Sequence, residues 1–275
     1  MLKRILVGLG DVEYAAAATR SAIELAREHG AELTGVTLYD VQRLGNVGSV
    51  PLGAGEAAKE LREHRLQEAQ RIIDTVSQQF ESAAAAAGVA HRMLIEQGDP
   101  LACMISEARY HDLIICGLKT LFEHGVVDDP SDTLVELVHS GVRPILAVSL
   151  QPRPIERILV GYSGSMESAK TMKRFVQLGL WASSRVRVVN FQEDEAAAGR
   201  LLVDAGAYFQ AHGIKAELEH CSGSPCDGLL EEADELDADV IVVGNSAKSL
   251  LRRRLFGETA LHVMRYSQRS LFLAQ

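Results

Sequence analysis

The residues best suited to chemistry lie between Gly244 and Thr259. Gly244 and Gly257 lack side chains, so the backbone there can approach an anion closely. A helix that begins just after Gly257 offers unpaired N–H groups and the positive end of its dipole. Ser246, Ser249 and Thr259 add hydroxyls, while Lys248 and Arg252–Arg254 concentrate positive charge. These residue types in this order suit a polyphosphate. The same residues also fit a basic surface loop that runs into an ordinarily capped helix.

A second segment, Gly117 to Asp132, occupies the matching place in the first half with opposite charge: Glu123, Asp128, Asp129 and Asp132. Carboxylates gathered there repel phosphates, and Ser131 and Asp132 read as helix-capping residues. His124 with Asp128, Asp129 and Asp132 has the donor types of a Mg²⁺ or Mn²⁺ site, but a solvated acidic loop is the reading adopted. Cys226 follows Pro225 at a helix start, five residues after Cys221. Of a redox pair and two ordinary thiols, the second is adopted, because the four cysteines contain no Cys-x-x-Cys pair. Ser163-Gly164-Ser165 lacks the Gly-x-Ser-x-Gly pattern of a nucleophile loop. No general base, nucleophile or metal cluster announces efficient catalysis. Slow ATP hydrolysis or self-phosphorylation on Ser246, Ser249 or Thr259 is the most that chemistry could amount to.

The elements that must position these residues come in two copies. Lys3–Gly8 recurs as Glu156–Gly161, Gly98–Pro100 as Gly223–Pro225, Asp112–Gly117 as Asp239–Gly244, and Pro144–Val148 as Ser270–Ala274. Four blocks in the same order mark an internal duplication. Pro152 and Pro154 stiffen the joint, which sets expected domains at 1–150 and 155–275. In each half, short apolar runs alternate with helix-length amphipathic segments. That predicts βαβ units and two tandem doubly wound, Rossmann-like α/β domains, each with a five-stranded parallel sheet. Ligands of such sheets bind beyond the C-terminal strand ends. The candidate segments therefore begin after Gly8, Gly117, Gly161 and Gly244. Helices are predicted at Tyr14–His29, Ala57–Ala87, Pro100–Tyr110 and Ser131–Ser140 in the first half. In the second they are predicted at Ser168–Ala182, Glu193–Ala211, Pro225–Leu236 and Thr259–Tyr266.

Composition limits the partners. The 275 residues carry 28 Lys+Arg against 37 Asp+Glu, a net charge of -9, which argues against a broad nucleic-acid-binding surface. No apolar run approaches the ~20 residues needed to span a bilayer. Asp11 and Glu13 interrupt the N-terminal segment before a secretory signal can form, so a cytoplasmic protein is expected.

Duplication, element order and the Gly244 segment together resemble the universal stress protein family in its tandem form, over essentially the whole chain except a stretch around 43–56. The family's nucleotide signature is Gly-x2-Gly-x9-Gly-Ser/Thr. Here Gly244 opens it, Asn245 and Ser246 follow, Ala247 replaces the second glycine, and Lys248 stands next to it. Gly257 is the third glycine, Glu258 takes the hydroxyl position, and Thr259 follows. The aspartate that ends the family's first strand is replaced by Ser163, two residues after Gly161, and Phe191 would lie near the base. The resemblance thus implies ATP in the second half, with Mg²⁺ as a cation that Glu258 could help hold. The first half departs further, with Thr120 and Pro130 at glycine positions and Asp11 one place beyond the expected acid. It also implies a stress-response regulator that forms a homo-oligomer, a dimer, with a protein partner it does not identify. Its fifth strands, Ile145–Val148 and Leu271–Leu273, would pair. The rival reading is a nucleotide-free interaction module acting through loops and sheet edges, favoured by Glu258 and Ser163.

Overall fold

A computed structural model describes residues 2–39, 53–119, 134, 137, 138, 144–244 and 258–274. The chain divides into two compact units between Leu137 and Val138.

The first unit contains β1 (Arg4–Gly8), α1 (Val12–His29), β2 (Glu32–Tyr39), α2 (Gly55–Ala86), β3 (His91–Gln97), α3 (Pro100–Ala108) and β4 (Leu113–Gly117). Its strands are parallel in the order β3-β2-β1-β4. β2 lies on one side of β1 and β4 on the other, and this reversal of strand order is the switch point of a doubly wound sheet. Ile5, Leu6, Val7, Ile114 and Ile115 are buried, as parallel strands covered on both faces require.

The second unit contains β5 (Ile145–Val148), β6 (Arg157–Gly161), α4 (Met166–Leu178), β7 (Arg185–Asn190), α5 (Glu195–Ala211), β8 (Ala216–His220), α6 (Pro225–Glu235), β9 (Val240–Gly244), α7 (Glu258–Tyr266) and β10 (Ser270–Ala274). The five parallel strands expected of this half are present in the order β10-β9-β6-β7-β8. β5 joins the same unit by pairing antiparallel with β10, Leu146 opposite Phe272. This is the pairing of fifth strands that the resemblance implied, and it gives both strand edges a partner.

Local chemistry explains the element boundaries. Asp11 caps α1 by accepting from the N–H groups of Glu13 and Tyr14 at 2.9 and 3.4 Å. It therefore serves as a helix cap through one carboxylate oxygen, Oδ1. Ser165 caps α4 from the N–H of Ser168, so the helix starts two residues before the expected Ser168. Gly179, with φ at +61°, ends that helix four residues before the expected Ala182. The predicted helix at 131–140 falls largely outside the described residues.

Both halves share one device at the N-terminal ends of their strands. The Asp112 carboxylate accepts from Lys3 and Arg4 N–H at 2.8 and 3.0 Å. The Asp239 carboxylate accepts from Glu156 and Arg157 N–H, both at 2.9 Å. In each case the residue before a central strand satisfies the start of its neighbour.

Candidate nucleoside end and helix starts of the second half

The C-terminal strand ends of the second half carry Gly161, Asn190, His220 and Gly244. Six of the expected site residues are described there: Gly161, Ser163, Phe191, Gly244, Glu258 and Thr259. Asn245, Ser246, Ala247, Lys248 and Gly257, with Ser249 and Arg252–Arg254, lie outside the described residues, as do His124, Asp128, Asp129 and Asp132.

Two groups form. The first lies around the start of α4. The exposed Ser163 hydroxyl lies within hydrogen-bonding distance of the Ser165 and Ser168 hydroxyls, at 3.0 and 3.2 Å, and Ser165 reaches Ser168 at 3.1 Å. Three hydroxyls thus close on one another where the resemblance places a carboxylate. Between Ser163 and Ser165, Gly164 takes φ +75°, a left-handed turn that suits glycine. Gly244 belongs to this group for a packing reason. A Cβ built on it would lie 2.8 Å from Ser168 Cα and 3.1 Å from the Glu167 carbonyl oxygen. Its missing side chain therefore lets β9 pass directly against the first turn of α4, quite apart from any approach to an anion.

The second group joins α6 to α7. Cys226 Sγ lies 3.8 Å from the Thr259 hydroxyl, and Asp227 faces His262 at 3.3 Å. Thr259 is half-buried, whereas Glu258 is exposed at the first position of the helix. There the carboxylate is stabilised by the helix dipole without any ligand. The Phe191 ring packs against α6, where a Cβ on Gly228 would come 2.3 Å from its Cε1. Phe191 thus forms a wall at the strand end, braced from behind by the helix. Gly161 meets the same helix, with Leu229 3.1 Å from a built Cβ.

Three residues that the sequence reading passed over tie these strand ends together. Asn190, wholly buried, donates its Nδ2 to the Tyr162 carbonyl at 2.7 Å and accepts the Gln192 N–H on Oδ1 at 2.8 Å. Gln192 Nε2 donates to the Ser163 carbonyl at 3.2 Å, and His220 Nε2 contacts the Gln192 carbonyl at 2.8 Å. Asn190 had a legible signal: it is an amide closing the otherwise apolar run Val186–Val189. Burial pushes the neighbouring Tyr162 phenol upward, with Asp204 adding to it.

The described residues include all four cysteines. All four are free. Burial, reinforced by Glu232, pushes the Cys221 thiol up to about 12, which removes the thiolate that exchange chemistry requires. Cys221 lies with Glu219 and Glu232 in the one cluster of three metal-type donors among the described residues, all within 4.8 Å of one another. Arg187 already stands against those carboxylates, at 3.2 Å from Glu219 and 3.5 Å from Glu232. Its guanidinium supplies the positive charge that a cation would otherwise bring.

Comparison with known proteins places this geometry. Residues 1–140 and 154–274 match the Universal stress protein family. A universal stress protein from Archaeoglobus fulgidus DSM 4304 shares the fold with TM-score 0.68 and 17% identity, over 99% of this chain and 96% of its own. A functionally unknown protein, PA1789 from Pseudomonas aeruginosa PAO1, does so with TM-score 0.61 and 18% identity, over 99% and 92%. A putative universal stress protein from Pseudomonas aeruginosa UCBPP-PA14 has the same score and identity, over 99% and 93%. No curated protein matches the chain.

Proposed function

From the premise that the chain belongs to the universal stress protein family, we propose that it is a stress-response regulator whose second half binds an adenine nucleotide, ATP with Mg²⁺, without efficient turnover. Its domains are 1–150 and 155–275, the first a degenerate copy that serves as structural partner. The observation that carries the reading is what one half places at its C-terminal strand ends and at the helix starts beyond them: the Ser163 hydroxyl cluster, the Phe191 wall and Thr259 in the first turn of α7. Ser163 would hold the ribose by hydrogen bonds, Phe191 would flank the base, and the start of α7 would face the phosphates. Gly161 and Gly244 keep the strand ends close to their helices. Asn245, Ser246, Ala247, Lys248 and Gly257 would complete the phosphate loop. The protein acts as a homodimer that presents its nucleotide state to a protein partner in the cytoplasm.

A second reading, a nucleotide-free interaction module, draws on one observation. Glu258 is exposed at the helix start, where it repels phosphate unless a divalent cation intervenes.

The deciding experiment is to purify the protein without added nucleotide, denature it, and identify any released small molecule by mass spectrometry. Calorimetric titration with MgATP follows. Binding that Gly257→Asp abolishes, with the first half still folded, supports the nucleotide reading. A folded wild type that releases nothing and binds no ATP near millimolar concentration leaves the interaction module.

A further inference from the structure

We infer that Asn190 and Gln192 are positioning residues for the nucleoside end of the site, a two-amide clamp that sets the backbone of the Tyr162–Gly164 loop before any ligand arrives. The inference rests on the nucleotide reading above and extends it to residues outside the family signature.

The clamp is built from opposite ends of two neighbouring side chains. Asn190 Nδ2 holds the Tyr162 carbonyl, and Gln192 Nε2 holds the Ser163 carbonyl. Asn190 Oδ1 holds the Gln192 N–H, and His220 at the end of β8 contacts the Gln192 carbonyl, so Gln192 is itself fixed from two sides. Because the Gln192 carbonyl can only accept, Nε2 is the donor nitrogen of His220 in this contact. The Tyr162 N–H is also committed, to the Val189 carbonyl at 2.9 Å.

A trans peptide is planar, with its N–H directed opposite to its C=O. Drawing the Tyr162 and Ser163 carbonyls toward Asn190 and Gln192 therefore turns the Ser163 and Gly164 N–H groups away from them. Neither of these N–H groups meets an acceptor among the described residues. The clamp thus fixes both the backbone that carries the Ser163 hydroxyl and two donor groups beside it. A buried amide with both ends used resists rotation, because any turn would leave a buried polar group unpaired. Pre-organisation of this kind raises affinity by removing the cost of ordering the loop when ligand binds.

The register with the first half makes the assignment specific. Leu9 N–H bonds Val36 just as Tyr162 N–H bonds Val189, so Thr37 stands where Asn190 stands. Thr37 is wholly buried, and its hydroxyl has no hydrogen-bond partner among the described residues. In the half whose glycine loop has degenerated, Thr37 makes no such bond among the described residues.

The test compares adenosine, ATP and inorganic tripolyphosphate as calorimetric ligands of wild type, Asn190→Asp and Gln192→Ala in the full chain. Asn190→Asp keeps the shape and the acceptor but replaces the donor with a carboxylate oxygen that faces and repels the Tyr162 carbonyl. Gln192→Ala alters a half-exposed side chain and keeps the protein measurable should the buried variant fail to fold. The expected result is a loss of about tenfold in adenosine and ATP affinity for Asn190→Asp and about threefold for Gln192→Ala, as follows from losing one or part of one hydrogen bond. Tripolyphosphate affinity should stay at the wild-type value in both. A role in general stability would weaken all three ligands together, and that outcome overturns the inference. Unchanged adenosine affinity in a folded Gln192→Ala, with wild type still binding, overturns it alone. Wild type that binds none of the three overturns the nucleotide reading along with it.

Discussion

At the N-terminal ends of the strands, each half sets an aspartate, Asp112 or Asp239, under two backbone N–H groups of its neighbouring strand. At the C-terminal ends the same two halves differ residue by residue. Asp11 caps α1 three positions after Gly8, whereas Ser165 caps α4 four positions after Gly161. The extra residue makes room for both Ser163 and the left-handed Gly164. Asn190 clamps that longer loop, while the Thr37 hydroxyl has no partner among the described residues. One end of a parallel sheet is constrained by folding alone, so duplication leaves it intact. The other end is where ligands bind, and there the copies are free to diverge.

The comparison is broken most severely if the halves are not separate cores. Phe80 in α2 and Phe272 in β10 are both fully buried. Phe80→Ala and Phe272→Ala are each expected to cost about 3–5 kcal/mol. Hydrogen exchange should show the loss in β1–β4 for Phe80→Ala and in β6–β10 for Phe272→Ala. Equal acceleration of both sets by either variant would mean that the copies unfold as one unit.

A comparable effect tests the shared aspartate. Removing Asp239 orphans two backbone donors and releases Arg153, which lies 3.0 Å from it. Asp239→Ala should cost about 2–6 kcal/mol in urea unfolding, at roughly 1–3 for each of the two part-buried donors left unpaired. Asp112→Ala should cost less, because Asp112 is half-exposed and water can replace it. A reversed order would show that the two braces are not equivalent.

These structural repeats were the legible part of the sequence. Apolar runs closed by Gly8, Gly117, Gly161 and Gly244 report burial, and burial follows local pattern. The candidate site was only partly legible. Ser163 and Phe191 could be placed by counting from strand ends, but Gly244 proved to be needed for contact with Ser168, a residue 76 positions earlier. Asn190 and Gln192 act on Tyr162 and Ser163, across nearly thirty residues. No local periodicity encodes a hydrogen bond made through tertiary neighbours, whereas the capping bond of Asp11 is strictly local.

Acid should separate the halves more gently. His111 in the first half contacts the Glu107 carbonyl at 2.6 Å and the Thr34 hydroxyl at 3.0 Å, and burial holds its pKa below the ordinary 6.5. The unfolded chain therefore takes up that proton first. Its contribution is complete above pH 6.5 and is lost as pH falls from there through the folded value. In the second half, hydrogen bonds from Arg153 and then Arg269, with Arg157 close by, hold Asp237 at about 2 instead of 3.8. Its contribution is complete above pH 3.8 and disappears as pH falls through 2. Protection factors measured from pH 7 to 5, which correct for the slower intrinsic exchange in acid, should therefore fall in the first half while Asp237 still holds the second. His111→Gln should remove that difference, and a first half indifferent to pH between 7 and 5 would contradict the assignment.

The smallest effect is the most specific. Thr37 and Asn190 hold the same register position, yet the Asn190 amide bonds at both ends and the Thr37 hydroxyl is buried without a partner among the described residues. A buried unpaired hydroxyl carries a desolvation cost with no bond to offset it. Thr37→Val removes the hydroxyl, supplies a methyl of similar size, and keeps the β-branched shape that a strand favours. It should leave the first half unchanged or stabilise it by up to about 1 kcal/mol in urea unfolding, against the usual expectation that changing a buried polar residue destabilises. A loss of more than about 1 kcal/mol would show that the hydroxyl does have a partner. In that event the first half retains a polar function at the strand end where Asn190 works in the second, and the divergence of the two copies is less complete than their loops suggest.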